Sequence, residues 1–156
     1  MKNIKKILIV CTGNSCRSIM AEGYLVSKFK AMGITDKLVL SSGTGAVPGF
    51  KPTQETIDVM SEHGIDVTGY VSSSLSKLHI ENADVILVMT PQHKERILSM
   101  NPEAKSKTFL LREFSEEESK DGNLIMDPIG HPIEFYREVF KVIKVSIEGF
   151  LVWLKK

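Results

Sequence analysis

Residues 7–23 read Ile7-Leu-Ile-Val-Cys-Thr-Gly-Asn-Ser-Cys-Arg-Ser-Ile-Met-Ala-Glu-Gly23, and the expected fold is built outward from them. The four apolar residues 7–10 predict a strand that is buried on both faces, because such a strand needs no polar alternation. Helix-forming residues follow from Ser18. A tight loop lies between the two, starting at Cys11 and ending at Arg17. The segment therefore predicts a strand, a short loop and a helix in succession.

This loop has the residues of an anion-binding site with a nucleophile at its base. Successive backbone N–H groups in a short strand-to-helix loop form a concave nest, and the following helix adds the positive end of its dipole. Gly13 and Asn14 tolerate the left-handed backbone that such a loop requires. Arg17 can hold a phosphate-like dianion through two parallel hydrogen bonds. The same positive field favours a thiolate at Cys11, which predicts an activated nucleophile.

Residues 11–18, together with Met20-Ala21-Glu22, resemble the signature loop of the low-molecular-weight protein tyrosine phosphatase family. The family's usual proline after the serine is Ile19 here, which removes a helix-start signal and touches no catalytic group. The resemblance extends over nearly the whole chain. The alternative is that Cys11 is an ordinary buried residue at a strand end. That interpretation leaves Arg17 and Ser18 without a reason to be in the same loop.

The composition is that of a single globular domain. The chain has 156 residues, of which 42% are hydrophobic and 25% charged, and this length supports one sizeable core. A net charge of +1 gives no electrostatic case for binding nucleic acid or an anionic membrane. The N-terminal apolar run is too short for a signal peptide, and no stretch is long enough to span a membrane. The two cysteines lack metal-site spacing and fit a reducing cytoplasm, so we expect a cytoplasmic protein without metal or cofactor.

Predicted strands alternate with predicted helices along the chain. Apolar runs bounded by turn residues predict strands over 5–10, 37–42, 84–89 and 107–111. Helical periodicity and capping residues predict helices over 18–32, 53–63, 92–100 and 132–155. This order implies one α/β domain over residues 1–156, with a four-stranded parallel sheet and helices on both faces in a flavodoxin-like three-layer sandwich. Ligands bind at the carboxyl ends of strands in such sheets, where the Cys11 loop lies.

Three segments allow more than one interpretation. The serine-rich residues 71–76 predict a short turn or helix, and the acidic residues 115–123 predict a solvated loop. The last helix ends in a segment that is apolar nearly all round, Phe150-Leu-Val-Trp-Leu154. Docking on the sheet is the favoured interpretation, because such stripes usually face a core. Self-association through Trp153 is the alternative, so we expect a monomer or a weak homodimer.

The chemistry needs an acid on a second loop. Attack by the Cys11 thiolate on a phosphorylated side chain gives a cysteinyl-phosphate, and the leaving group departs more easily when an acid protonates it. The family places an Asp-Pro pair late in the chain, and this sequence has Asp127-Pro128 at the matching position. The resemblance implies that Asp127 is the acid and later the base that activates water. Without the Cys11 loop, the pair would be interpreted as a simple turn.

The remaining loop residues are expected to bind the phosphate or support the loop; they are Thr12, Gly13, Asn14, Ser15, Cys16 and Ser18. Ser18 is predicted to donate a hydrogen bond to the thiolate, with a helix N-cap as the alternative role. The Asn14 side chain is predicted to brace the loop. Cys16 is either a packing residue or, as the resemblance implies, the partner of Cys11 in a reversible protective disulfide.

Two positions bear on the substrate, which we expect to be a phosphorylated protein whose phosphate or a similar oxyanion sits in the loop. Tyrosine-directed relatives carry an apolar residue at the position of Ser15 and aromatic residues after the Asp-Pro, where Ile129 stands here. The bacterial branch of the family that removes phosphate from phosphoarginine carries threonine at the position of Ser15. This chain therefore resembles that branch more closely. Segment 88–95 resembles it too. That branch usually has an aromatic at the Ile129 position. Phe50 and Ile129 are candidate walls of the pocket.

Two other function classes stay open. An arsenate reductase could use the same loop, but the family members that do so need further cysteines late in the chain, and none follows Cys16. A phospho-ligand binding module without catalysis would need neither Cys11 nor Asp127. The histidines at positions 63, 79, 93 and 131 form no metal-ligand pattern, and His131 is expected at the surface.

Overall fold

The computed structural model describes residues 1–117 and 122–156. Four parallel strands form the sheet in the order β2-β1-β3-β4. They are β1 (Lys6–Cys11), β2 (Leu38–Gly43), β3 (Val85–Val88) and β4 (Thr108–Leu110). The first strand therefore lies inside the sheet, paired with β2 on one side and β3 on the other. The four predicted strands are confirmed, and each predicted end differs from the observed end by one residue.

In the described part of the chain, five α-helices surround the sheet: α1 (Arg17–Ala31), α2 (Gln54–Glu62), α3 (Lys77–Asn82), α4 (Pro91–Met100) and α5 (Ile133–Lys155). The four predicted helices are confirmed. Thr53 and Thr90 cap α2 and α4 as predicted, because each hydroxyl accepts a hydrogen bond from the third backbone N–H of its helix. Two 3₁₀-helices that the sequence did not predict, η1 (Pro102–Lys107) and η2 (Leu111–Phe114), flank β4.

The serine-rich segment 71–76 does not form a helix. It runs past the end of β2, where Ser74 makes an isolated parallel bridge with Gly43, and helix α3 begins only after Ser76. The Ser76 hydroxyl caps that helix by accepting the His79 N–H. The predicted acidic loop 115–123 includes residues 118–121, which lie outside the described residues.

Two hydrophobic cores sandwich the sheet. Alternate residues of β1 enter opposite cores, with Ile7 and Ile9 facing α1, α2 and α5, and Leu8 and Val10 facing α3 and α4. All four side chains are buried, as predicted for a strand covered on both faces. This arrangement places the carboxyl end of β1 between the ends of β2 and β3, and the Cys11 loop begins there.

The apolar end of α5 packs within the chain. The Trp153 ring lies 5.4–5.7 Å, centroid to centroid, from the rings of Phe109, Phe114 and Phe150. Lys2 places its ammonium 4.9 Å from the centre of the Trp153 ring. The tail therefore docks against the β4 side of the sheet, in agreement with the favoured interpretation. Within residues 1–117 and 122–156, no helix is both long and apolar enough to cross a membrane.

Candidate active site

The loop between β1 and α1 wraps around the carboxyl end of the central strand. Cys11 is the last residue of β1, and Arg17 is the first residue of α1. The left-handed backbone predicted for the loop occurs at Asn14, with φ at 53°, whereas Gly13 is not among the residues with positive φ. Gly43 is held directly beside this loop, and a Cβ there would collide with the Thr12 carbonyl oxygen. The loop and the end of β2 are therefore closely packed, and only glycine fits at position 43.

A chain of buried hydrogen bonds leads away from the Cys11 sulfur. Cys11 Sγ lies 2.9 Å from Ser18 Oγ. The Asn14 amide donates to Ser18 Oγ at 2.7 Å and to Ser41 Oγ at 2.9 Å. Since Ser18 Oγ accepts from Asn14, its own proton is directed to the sulfur. This geometry fits the predicted hydrogen bond to a Cys11 thiolate. The alternative, an N-cap role for Ser18, is wrong, because the N-cap of α1 is Cys16.

The same chain of hydrogen bonds ends at a buried carboxyl group. The Ser41 hydroxyl donates to Glu22, which lies on α1. Burial raises the Glu22 pKa to about 7, although the hydrogen bond from Ser41 opposes the shift. The Asn14 side-chain oxygen accepts the backbone N–H of Ser73 at 2.8 Å. Asn14 thus joins the loop to β2 and to the serine-rich segment, which gives a physical basis for its predicted bracing role.

The Asp127 segment meets the loop at Arg17. Arg17 Nη1 donates to the Ile125 carbonyl oxygen at 2.9 Å, and Arg17 Nη2 lies 3.6 Å from Asp127 Oδ2. The other carboxylate oxygen of Asp127 accepts the Ile129 N–H at 3.1 Å. Arg17 is buried, while the Asp127 side chain is 43% exposed. The fold therefore brings a buried guanidinium and an accessible carboxyl group together beside the loop that contains Cys11. The catalytic roles of these residues stay predictions.

Cys16 is a free cysteine packed behind the loop. Its sulfur lies 3.6–3.7 Å from the hydroxyl oxygens of Ser15, Thr53 and Tyr136. Cys11 is also unbridged, and both cysteines are buried. The packing role weighed for Cys16 is thus consistent with its surroundings, while the disulfide with Cys11 stays a prediction.

His93 belongs to this site, although it was not among the predicted site residues. Its Nε2 atom lies 2.8 Å from Thr12 Oγ1, and its Nδ1 atom accepts the Thr90 N–H at 3.2 Å. Because Nδ1 is an acceptor, the proton of the neutral ring is on Nε2 and points to Thr12. Burial lowers the His93 pKa to about 4, and the charge of Arg17 adds to the shift while Asp127 opposes it. The sequence signal that could have identified His93 is its place at the third position of α4, the helix that Thr90 caps.

The predicted pocket walls lie on exposed loops. The Phe50 and Ile129 side chains are both exposed, and their contact with a substrate stays a prediction. His131 is also exposed, as predicted, and its ring lies 4.6 Å from that of Phe135. Among the described residues, no three or more His, Cys, Asp or Glu side chains are grouped so that they could hold a metal ion.

Comparison with known proteins matches the chain to one enzyme family. The family model described as Low molecular weight phosphotyrosine protein phosphatase matches residues 6–156. A protein-arginine-phosphatase from Geobacillus stearothermophilus is 43% identical over 143 residues, which cover 92% of this chain and 91% of that protein.

Solved structures share the fold. A low molecular weight protein tyrosine phosphatase from T. tengcongensis superposes with a TM-score of 0.87 at 35% identity, covering 96% of this chain and 99% of that chain. The YwlE arginine phosphatase, solved as a cysteine-to-serine mutant with a phosphorylated active site serine, gives a TM-score of 0.87 at 33% identity, covering 97% of this chain and 96% of that chain. The chain therefore belongs to the low molecular weight phosphotyrosine protein phosphatase family and is a phosphatase.

Proposed function

We propose that this phosphatase hydrolyses phosphorylated protein side chains through a cysteinyl-phosphate intermediate, with a preference for phosphoarginine. The Cys11 thiolate attacks phosphorus while the bond from phosphorus to the leaving oxygen or nitrogen breaks, and Asp127 donates its proton to that leaving atom. Asp127 then takes a proton from a water that attacks phosphorus. The sulfur–phosphorus bond breaks, which releases phosphate and restores the thiolate.

The observation that carries this mechanism is the contact of 2.9 Å between Cys11 Sγ and Ser18 Oγ. A hydroxyl that donates to sulfur stabilises the thiolate before attack and again when the thiolate leaves. The backbone of the loop and the start of α1 provide N–H groups for the phosphate oxygens. In this proposal, the shape of the phosphate-binding loop is set by Thr12, Gly13, Asn14, Ser15 and Cys16.

Arg17 is proposed to bind the phosphate while it keeps its hydrogen bond to the segment that carries Asp127. One of its nitrogen atoms is engaged by the Ile125 carbonyl, and a guanidinium offers five N–H groups in a fixed plane. The remaining donors can hold two phosphate oxygens. The 3.6 Å contact with Asp127 supports a role for that carboxyl beside the bound phosphate.

The preference for phosphoarginine is supported by the small polar side chain of Ser15 and by the relatives. The Geobacillus stearothermophilus relative is named a protein-arginine-phosphatase, and another of that name from Bacillus subtilis is 34% identical over 150 residues. A hydroxyl at position 15 can contact a guanidinium or position a water, whereas an apolar side chain favours a phenyl ring. Phe50 and Ile129 are the proposed walls around the substrate. We further propose a cytoplasmic location, an oxyanion site in the loop, and a monomer or weak homodimer.

Turnover assays on three substrates test the mechanism. The purified protein is assayed under reducing conditions on p-nitrophenyl phosphate, a phosphotyrosine peptide and a phosphoarginine protein, beside Cys11→Ser and Asp127→Asn. We expect no turnover by Cys11→Ser. Asp127→Asn should lower turnover of the phosphotyrosine peptide and the phosphoarginine protein about 100-fold or more, and turnover of p-nitrophenyl phosphate less, because p-nitrophenolate leaves without a proton. Capture of phosphoprotein without turnover by the wild type would instead favour a binding module. Arsenate-dependent thiol consumption with thioredoxin would favour the reductase class.

A pair of substitutions at one position tests the substrate preference. Ser15→Ile should raise the ratio of phosphotyrosine to phosphoarginine turnover, while Ser15→Thr, which keeps the hydroxyl, should leave the ratio near that of the wild type. Equal ratios for the two variants would contradict the role proposed for the hydroxyl.

A further inference from the structure

Residues 122–127, which lead to Asp127, form no helix or strand in the described part of the chain. Among the hydrogen bonds that attach them to the body of the protein, three bear on the position of Asp127. The Ile125 N–H donates to the Met89 carbonyl at 3.0 Å. The Ile125 carbonyl accepts from Arg17 at 2.9 Å, and the Leu124 carbonyl accepts from Arg112 Nη1 at 2.9 Å. All three attachments fall on two consecutive residues, and Asp127 follows two residues after the second of them.

Two of these hydrogen bonds hold the same peptide unit. The Leu124 carbonyl and the Ile125 N–H belong to one planar group, which can turn only as a whole. Arg112 holds one edge of that plane, and the end of β3 holds the other through Met89. The next peptide unit is the one that Arg17 contacts. Losing the Arg112 bond would leave this plane held at one edge only, by Met89, and would loosen the restraint on the next peptide unit.

Arg112 is well placed to be a fixed anchor. It lies on η2, whose first residue Leu111 is buried and whose last residue Phe114 packs against Phe150, with ring centroids 5.3 Å apart. Glu113 also accepts the backbone N–H of Leu110, which closes this short helix. The side chain of Arg112 is half-buried, and a guanidinium bond to a carbonyl is stronger than a neutral hydrogen bond.

We propose that Arg112 is a positioning residue for the proton donor: it holds the Leu124–Ile125 peptide so that the Asp127 carboxyl stays beside Arg17. Arg17 cannot do this alone, because it has to share its donors with the phosphate during turnover. Arg112 lies on η2, outside the Cys11 loop, so the proposed phosphate contact makes no demand on its donors. The proposal rests on the proposed function, in which Asp127 protonates the leaving group.

The test compares kcat/KM for two aryl phosphates, because this constant reports the first chemical step. p-Nitrophenolate leaves readily without a proton, whereas phenolate needs one. Arg112→Met keeps the side-chain length but removes the donors, and Arg112→Lys keeps one charged donor. Arg96→Met, which removes an exposed arginine from α4, is the matched control. Inhibition by inorganic phosphate reports whether the loop itself is intact.

We expect Arg112→Met to lower kcat/KM about 10-fold for phenyl phosphate and less than about twofold for p-nitrophenyl phosphate, as for partial loss of a general acid. The phosphate inhibition constant should stay within about twofold, since no group that binds the anion is changed. Arg112→Lys should recover much of the loss. In an Asp127→Asn background, Arg112→Met should cause no further loss, because it acts through that carboxyl.

Two kinds of result would overturn the inference, and they have different consequences for the proposed function. If Asp127→Asn shows the dependence on leaving group and Arg112→Met does not, or if Arg112→Met affects both substrates and phosphate inhibition equally, the role of Arg112 is wrong and the proposed function stands. If Asp127→Asn itself shows no such dependence, the acid role in the proposed function fails and this inference fails with it. Should Arg112→Met not fold, Arg112→Leu, which also removes the donors, gives the same comparison.

Discussion

Arg17 Nη2 and Asp127 Oδ2 lie 3.6 Å apart, which joins the start of the first helix to a loop near the end of the chain. The arginine is buried and the aspartate is largely accessible. This pair links the group proposed to bind the phosphate to the group proposed to protonate the leaving atom. Changes to either residue should therefore affect both binding and chemistry.

Arg17→Lys should lower kcat/KM by about 100-fold or more, because a lysine ammonium cannot bind two phosphate oxygens in parallel and also contact the Ile125 carbonyl. The inhibition constant for inorganic phosphate should rise as well. Steady-state kinetics with phosphate as inhibitor measure both effects. Arg96→Lys on the surface of α4 is the control and should resemble the wild type. An unchanged phosphate inhibition constant in Arg17→Lys would contradict the proposed role of the guanidinium.

Asn14→Ala should lower the free energy of unfolding by about 3 kcal/mol, because it leaves buried partners unsatisfied and puts a Cβ-bearing residue without a local hydrogen bond at positive φ. Asn14→Gly loses the same hydrogen bonds but tolerates the backbone conformation. We therefore expect the glycine variant to be about 1 kcal/mol more stable than the alanine variant. Urea unfolding of both variants gives these values. Equal stabilities would mean that the backbone at position 14 stores no strain.

Glu22→Gln should change how stability depends on pH. The pKa of Glu22 in the folded protein is raised by burial from 4.5 to about 7. The fold thus favours the protonated carboxyl, whose stabilising contribution is complete below pH 4.5 and is lost as the pH rises through about 7. Relative to the variant, the wild type should lose up to about 3 kcal/mol of unfolding free energy over this range.

Urea denaturation at a series of pH values measures this difference. Glu95→Gln removes an exposed carboxyl group from α4 and serves as the control. A difference between the wild type and Glu22→Gln that stays constant with pH would show that Glu22 titrates normally.

His93 and Thr12 should be energetically coupled. A double-mutant cycle with Thr12→Val and His93→Phe isolates their hydrogen bond of 2.8 Å. We expect a coupling energy of about 1 kcal/mol between the two substitutions in the free energy of unfolding at about pH 8. This pH is well above the ordinary histidine pKa of 6.5, so the ring is neutral in both the folded and the unfolded state. Strictly additive effects would indicate that the hydrogen bond contributes nothing to stability.

The sequence was most informative where neighbouring residues carry the chemistry. Cys11, Asn14 and Arg17 lie within seven consecutive positions, so their common loop could be inferred from local order alone. Asp127 could be selected only through the family resemblance, because an Asp-Pro pair is an ordinary turn signal. Its contact with Arg17 depends on how distant loops meet at the edge of the sheet.

The contacts that the sequence did not predict join residues from different elements. His93 reaches Thr12 because strands β1 and β3 are neighbours in register, and that adjacency follows from the strand order. Ser41 lies beside Glu22 for a similar reason, since β2 runs next to α1. Capping patterns predicted the starts of α2 and α4, whereas the N-cap that was the alternative role for Ser18 is wrong. Helix α1 begins two residues earlier than a cap at Ser18 would imply, because Cys16 is its N-cap.

The division between buried and exposed residues has a consequence for the evolution of this enzyme. Cys11, Arg17 and Ser18 are 2%, 4% and 0% exposed, whereas Phe50 and Ile129 are 63% and 56% exposed. Substitution of exposed loop residues costs little stability, so the proposed pocket walls Phe50 and Ile129 can change while the buried residues stay constant. If these walls contact the substrate as proposed, related enzymes can acquire new phosphorylated substrates by a few changes there, without a change to the nucleophile.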